Sequence, residues 1–146
     1  MAQDVIHIMV PSTIFTDTTT YDYDILLNRL REQAFLNAGI RVVLTDSRTD
    51  DRIPTIGKSD DLCFEGGINS YVEYLLQGIK KESLIKDVIY LSGSKNDETA
   101  EIALLWSTAY DNKILSFANT LHTIDGGTHE QAFRQTVTRV VNKYAH

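Results

Sequence analysis

Two glycine pairs stand where a chain could cradle an anion. Gly66-Gly67 precedes a run of helical periodicity, and Gly126-Gly127 lies between Asp125 and Thr128-His129. Backbone N–H groups at a helix N-terminus bind phosphate. A P-loop would add spaced glycines and a Lys-Ser/Thr pair, and neither accompanies Gly66-Gly67. The plainer reading is a tight turn into a helix, with backbone packed closely against a neighbour. At the second pair Asp125 can close an Asx-type turn, the glycines permit positive φ, and Thr128 starts a helix. His129, in the first turn, could serve as a hydrogen-bonding latch or as a general base. A base needs a reachable proton and an orienting partner, and the sequence supplies neither, so the latch is preferred.

The remaining titratable residues carry no recognisable site. His7, His122 and His146 lack metal-ligand spacing with Asp or Glu on one helical face. No Gly-x-Ser-x-Gly, Cys-His pair or carboxylate dyad stands out. No catalytic, cofactor-binding or metal-binding residue is therefore assigned. Arg134, Arg139 and Lys143 fall on the last helical segment. At about 100° per residue, Arg139 and Lys143 share one flank of its apolar stripe and Arg134 lies on the other. Solvated side chains beside a buried face are the default, and a DNA-facing strip is the alternative.

Composition narrows the class. With 146 residues, 42% hydrophobic and 23% charged, the chain reads as one ordinary soluble domain or two partial ones. No apolar run approaches the roughly 20 residues of a membrane helix, and no secretory signal is visible. Cys63 is the only cysteine, so no internal disulfide forms, which suits a cytoplasmic setting. A net charge of −6 argues against a protein devoted to coating nucleic acid.

These residues need elements to position them. Val5 to Val10 reads as a short buried strand closed by Pro11, followed by a threonine-rich loop through Thr20. Tyr23, Leu26, Leu27, Leu30 and Ala34 then follow helical spacing, with Asp22 as cap and Gly39 as the terminating glycine. Ile40 to Leu44 reads as a strand. Residues 46–63 are acidic and poor in apolar side chains, with Pro54 and Gly57, and read as a linker. Ile68, Tyr71, Val72, Leu75 and Leu76 predict a second helix ending at Gly78. Val88 to Leu91 predicts a strand. Ile102 to Trp106 predicts another, paired across the turn Tyr110-Asp111-Asn112-Lys113 with Ile114 to Phe117. Thr128 and Gln131 have capping-box spacing, and Phe133, Val137, Val140, Val141 and Tyr144 make one apolar stripe on the last helix. The layout is α+β, an antiparallel hairpin covered by helices.

Taken together, the motifs resemble the ATPase subunit of type IIA topoisomerases, the B subunit of bacterial gyrase and its topoisomerase IV relative. Phe64-Glu65-Gly66-Gly67-Ile68, then Tyr71-Val72-Glu73-Tyr74-Leu75, resembles the family's Tyr-Glu-Gly-Gly-Ile segment. Asp125-Gly126-Gly127-Thr128-His129, with Phe133-Arg134 and Thr138-Arg139, resembles its Asp-Gly-Gly-Thr-His helix. Leu30-Arg31-Glu32 with Phe35-Leu36-Asn37-Ala38-Gly39 resembles its Leu-Arg-Glu…Phe-Leu-Asn-x-Gly run, and Glu101 to Trp106 with Phe117-Ala118-Asn119 resembles its hairpin. The match is co-linear over nearly the whole chain. Ile124 stands where the family often has a basic residue, and Ala132 where it often has Gly.

The resemblance implies residues 1–46 as the closing strand–helix–strand of a GHKL-type ATPase domain and 47–63 as a linker. It implies 64–146 as the first part of a transducer domain with a left-handed βαβ crossover. Glu65, Gly66, Gly67, Asp125, Gly126, Gly127, Thr128 and His129 become structural or relay candidates. Arg134, Arg139 and Lys143 become DNA-facing candidates. ATP and Mg²⁺ belong to the parent protein, since the motifs that hold them lie upstream and downstream of this chain. Expected partners are the rest of the parent ATPase subunit, the A subunit of its holoenzyme and DNA. Alone, the chain is expected to be catalytically inactive, without tight ATP binding, and to bind DNA weakly, with a salt slope of about −1.8 for two phosphate contacts. Self-association through the N-terminal segment is also expected. Two other functions compete: a free-standing gyrase-like docking or regulatory module, and a weak nucleic-acid-binding domain.

Overall fold

The computed structural model describes residues 21–48, 54–79, 82–108 and 112–145. The expected strand Val5 to Val10, its loop, and Tyr110-Asp111 of the expected turn lie outside the described residues. Helix α1, Tyr23–Leu36, begins where the sequence places it. The Asp22 carboxylate accepts the Ile25 N–H at 3.0 Å, which satisfies one of the orphan donors of the first turn. At the other end the C-cap is Asn37, and Gly39, one residue beyond the C′ position expected of it, takes φ +80° in the turn closed by the Ile40 N–H on the Asn37 carbonyl at 3.1 Å.

Strand β1, Arg41–Thr45, pairs antiparallel with β2, Ser59–Cys63, from Arg41 opposite Cys63 to Thr45 opposite Ser59. The second strand corrects the sequence reading, which leaves residues 59–63 in a linker. Asp60 and Asp61 disguise it, because both carboxylates are occupied. Asp60 accepts the Tyr23 hydroxyl at 2.7 Å, and Asp61 pairs with Arg41 across the ladder. Burial and this acceptor hold the Tyr23 phenol's pKa up at about 12. The two described ends of the β1–β2 connection meet at an acid: Asp46, 7% exposed, accepts from the Arg48 guanidinium and from the Thr55 hydroxyl at 2.6 Å. Arg48 further donates to the Tyr21 carbonyl at 2.9 Å, tying this loop to the start of α1.

Helix α2, Ile68–Ile79, runs through Gly78 rather than stopping there. Helices α1 and α2 meet around Phe35, which is 1% exposed. Its ring stacks on Phe64 at 3.7 Å and on Tyr71 at 4.8 Å, with Tyr74 tilted beside it at 5.4 Å. Tyr71 is buried too, and burial followed by the Glu32 charge pushes its hydroxyl up to about 12.

The next pairing differs from expectation. Strand β3, Ile89–Lys95, pairs with β4, Glu98–Leu104, and residues 114–117 do not partner Ile102 to Trp106. The turn is Asn96-Asp97, both with positive φ (52° and 64°), the two-residue geometry that matches strand twist and that Asn and Asp tolerate. A second such hairpin joins β5, Phe117–Ala118, to β6, Leu121–His122, through Asn119-Thr120. Helix α2 lies against β4 and α1, so the hairpin is helix-covered only toward the end of β4, and β3 stays exposed along its length.

Helix α3 spans Thr128–Tyr144. The capping box does not form. Gly127 occupies the N-cap position without a side chain to offer, and Thr128 is already helical. The apolar stripe is expected from the sequence to be buried, yet no residue of α3 is: Val140 is 47% exposed, Val141 50% and Tyr144 81%. Phe133 and Val137 are half-buried, so the stripe is open mainly toward its C-terminal end.

Phe35 therefore anchors the best-packed region. Phe35→Ala is expected to cost about 3–5 kcal/mol, the usual effect of emptying an aromatic site in a core. Urea denaturation followed through Trp106 fluorescence measures it, and a loss below about 1 kcal/mol would show that the stack is not the anchor.

Candidate relay site

The two glycine motifs sit at different kinds of joint. Gly67 has φ +56°, and a Cβ there would lie 3.2 Å from the Ala38 Cβ and 3.7 Å from the Phe35 carbonyl oxygen. The backbone before α2 thus passes directly over the end of α1, and any larger residue meets both conformational and steric resistance. A Cβ on Gly66 would fall 2.2 Å from the Ser70 hydroxyl. Glu65 is exposed beside them. These residues position α2 against α1 and converge on no cavity.

The second motif is wired into a polar cluster. The Gly126 N–H bonds to the Thr123 carbonyl at 2.9 Å with Gly126 at φ +74°, and the Gln131 N–H bonds to the Gly127 carbonyl at 3.1 Å to open α3. Asp125, Thr128 and His129 are exposed. The His129 Nε2 lies 3.3 Å from the Thr123 hydroxyl, a contact of the latch type. The centre of the cluster is Glu130. One of its oxygens accepts the Ser116 hydroxyl at 2.9 Å, while the other accepts the Arg134 guanidinium, 2.7 Å away. Ser116 shares a 2.6 Å hydrogen bond with Thr123. The Arg134 hydrogen bonds, then the Ser116 one, hold the Glu130 carboxyl below its ordinary value. The first turn of α3 is thereby tied to the strand–turn–strand preceding it.

This arrangement can hold elements in register. Among the described residues no group of three or more His, Cys, Asp or Glu could hold a metal ion, and no helix is long and apolar enough to cross a membrane. His7 and His146 lie outside the described residues, and His122 packs against the Phe117 ring at 5.1 Å.

Arg134 and Arg139 line one shallow groove on α3 with Gln135, Thr138 and Asn142. Arg134 is engaged with Glu130, Arg139 is exposed, and the Lys143 ammonium stands 5.9 Å from the Tyr144 ring.

Several working residues escape a reading of the sequence. Glu130 and Arg134 have the i, i+4 spacing of a helical ion pair and are legible on that ground. Ser116 and Thr123 are not, because their pairing depends on the Asn119-Thr120 turn. Nor is Gln33, whose side-chain amide reaches from α1 to donate to the Thr120 carbonyl at 2.9 Å.

Acid tests the Glu130 cluster. Its folded pKa is depressed, so its stabilisation is fully present above the ordinary value of 4.5 and is lost as pH falls below it. Glu130→Gln is expected to lower the melting temperature near pH 7 and to leave less of a difference from the parent below pH 4. Parallel melting curves at pH 7 and pH 3 that keep an equal gap would contradict this.

The family model of DNA gyrase B matches residues 67–146. The DNA gyrase B protein of Streptococcus pyogenes serotype M1 is 41% identical over 140 residues, covering 96% of this chain and 20% of that protein. Its Staphylococcus aureus counterpart is 42% identical over 140 residues, again 96% of this chain and 21% of the relative. The chain thus spans about a fifth of the length of these relatives. Among solved structures, the 43K ATPase domain of Thermus thermophilus gyrase B, in complex with an aminocoumarin, superposes with a TM-score of 0.74 at 30% identity. That match covers 92% of this chain and 34% of the solved one. The DNA gyrase B protein from Myxococcus xanthus gives 0.70 at 25% identity, over 85% and 33%. The α+β fold, the order of its elements and the sequence relationship agree, and the chain belongs to the DNA gyrase B family.

Proposed function

We propose that this chain is a mechanical relay segment of the ATPase subunit of an ATP-dependent type II DNA topoisomerase. In this reading α1 and the β1–β2 hairpin close the ATPase part. The chain from α2 to α3 opens the transducer, and the joint between them passes on the nucleotide-driven closure of the gate. The observation that carries the proposal is the Phe35 stack, in which α1 supplies the central ring and Phe64, Tyr71 and Tyr74 surround it. A displacement of α1 must move α2 with it or break the best-buried contact in the described residues. Relays work through such packed, discrete arrangements rather than through soft deformation.

On this reading ATP and Mg²⁺ are held by other parts of the parent protein, and the segment alone neither binds nor hydrolyses ATP. The rest of the gyrase B protein, its gyrase A partner and DNA are its working partners, in the cytoplasm. The exposed stripe of α3 supports packing against further polypeptide, since an apolar face of this kind rarely stays open to water. Direct contact with DNA is a smaller part of the role. Arg134 is committed to Glu130, Ile124 is 75% exposed where relatives often carry a basic residue, and the chain's net charge is −6.

A chimera tests the relay. The corresponding segment of the Staphylococcus aureus gyrase B protein is replaced by this chain, and ATP hydrolysis and DNA strand passage are measured together with its gyrase A partner. Tyr71→Leu in the chimera is expected to leave hydrolysis largely intact while strand passage per ATP falls by about 2- to 30-fold, the range for mutations that modulate coupling. Unchanged strand passage per ATP would remove the joint from the mechanism.

A further inference from the structure

We propose that the β5–β6 turn is a strained latch held shut by Gln33, through which α1 sets the position of the first turn of α3. The inference rests on the relay reading for its purpose and on local geometry for its mechanism.

Thr120 is the key. It has φ +67°, and its neighbour Asn119 has φ +48°. Asn tolerates the left-handed region, but a β-branched side chain there is a genuine outlier that the surroundings must hold in place. One tether from α1 is visible. The Gln33 Nε2 donates to the Thr120 carbonyl at 2.9 Å in a part-buried contact between residues 87 apart in sequence. The backbone that carries Gln33 is held in place, because its main-chain carbonyl accepts both the N–H and the side-chain amide of Asn37, at 3.1 and 2.8 Å.

The turn leads directly into the Glu130 cluster. From Thr120 the chain passes through His122 to Thr123, whose N–H bonds to the Ser116 carbonyl at 2.9 Å while its hydroxyl donates to the Ser116 hydroxyl at 2.6 Å. Ser116 then donates to Glu130 on α3. Phe117 in β5 stands 6.4 Å from Tyr71, so the hairpin is also registered against α2. When Gln33 withdraws, Thr120 loses its support and can relax to negative φ. That change alters the two-residue turn, the Ser116–Thr123 pairing and the seat of Glu130. The turn thus has two discrete backbone states, and the position of α1 chooses between them, which is what a physical coupling element requires.

Hydrogen exchange of the 146-residue chain tests this without reference to topoisomerase activity. Gln33→Ala is expected to speed exchange of the Thr123, Gly126 and Gln131 amides about tenfold, the effect of losing one part-buried hydrogen bond. Amides of the β3–β4 ladder are expected to keep their rates. Adding Thr120→Asn, which is at ease with positive φ, is expected to restore most of the protection in the Gln33→Ala background. Unchanged rates at the three amides would overturn the latch. So would an equal rise in the β3–β4 ladder, which means general destabilisation, or a failure of Asn to rescue. If Tyr71→Leu leaves strand passage per ATP in the chimera unchanged while these rates behave as expected, the relay reading falls and the latch stands.

Discussion

The burial of one ring, Phe35, organises the first half of the described structure. Around it the chain has few options. Phe64 must follow β2 closely enough to stack on it, which fixes where the hairpin ends. Gly67 must be glycine-like in conformation because the backbone passes over Ala38 and the Phe35 carbonyl at that point. Tyr71 and Tyr74 then arrive on one face of α2 at i, i+3 spacing. The hydroxyl of Tyr71 reaches Glu32 at 3.4 Å and that of Tyr23 reaches Asp60, so the polar tips of the buried aromatics are answered by carboxylates on neighbouring elements. Apolar packing supplies the attraction here, and these polar contacts fix which arrangement is reached.

Beyond Tyr71 the character of the structure changes. The β5–β6 hairpin and the start of α3 are held by short polar contacts among Gln33, Ser116, Thr123 and Glu130 rather than by buried apolar area. Such contacts are directional and can exchange for others at small cost, whereas a stacked core cannot. On the relay reading proposed above, the contrast suits a segment that is firm where α1 drives it and adjustable where it acts on α3. The apolar stripe of α3, exposed at Val140, Val141 and Tyr144, belongs to the same pattern, since its seat is set at the N-terminal end.

Much of this is legible in the residues. Helical spacing locates α1, α2 and α3, Asp22 and Gly39 mark the ends of the first, and the co-linear motifs point to the correct family. The failures have common physical causes. The strand Ser59–Cys63 is hidden because charge-paired Asp60 and Asp61 mimic loop composition. The β3–β4 pairing is missed because Asn96-Asp97 is a weaker signal than a glycine-containing turn, although both residues adopt positive φ. Thr128 reads as a cap because spacing cannot tell the last non-helical residue from the first helical one. The Gln33–Thr120 contact joins residues 87 apart and leaves no local trace.

If α1 and α2 are energetically joined through Phe35, a double-mutant cycle measures the joint most directly. Phe35→Leu and Tyr71→Leu, made singly and together, are compared by equilibrium denaturation. The double variant is expected to lose less than the sum of the single losses, by about 0.5–1.5 kcal/mol, the coupling of an aromatic pair beyond its buried area. Single losses that add to within about 0.3 kcal/mol would mean that the two rings merely sit side by side, and the proposed joint would have no energetic basis.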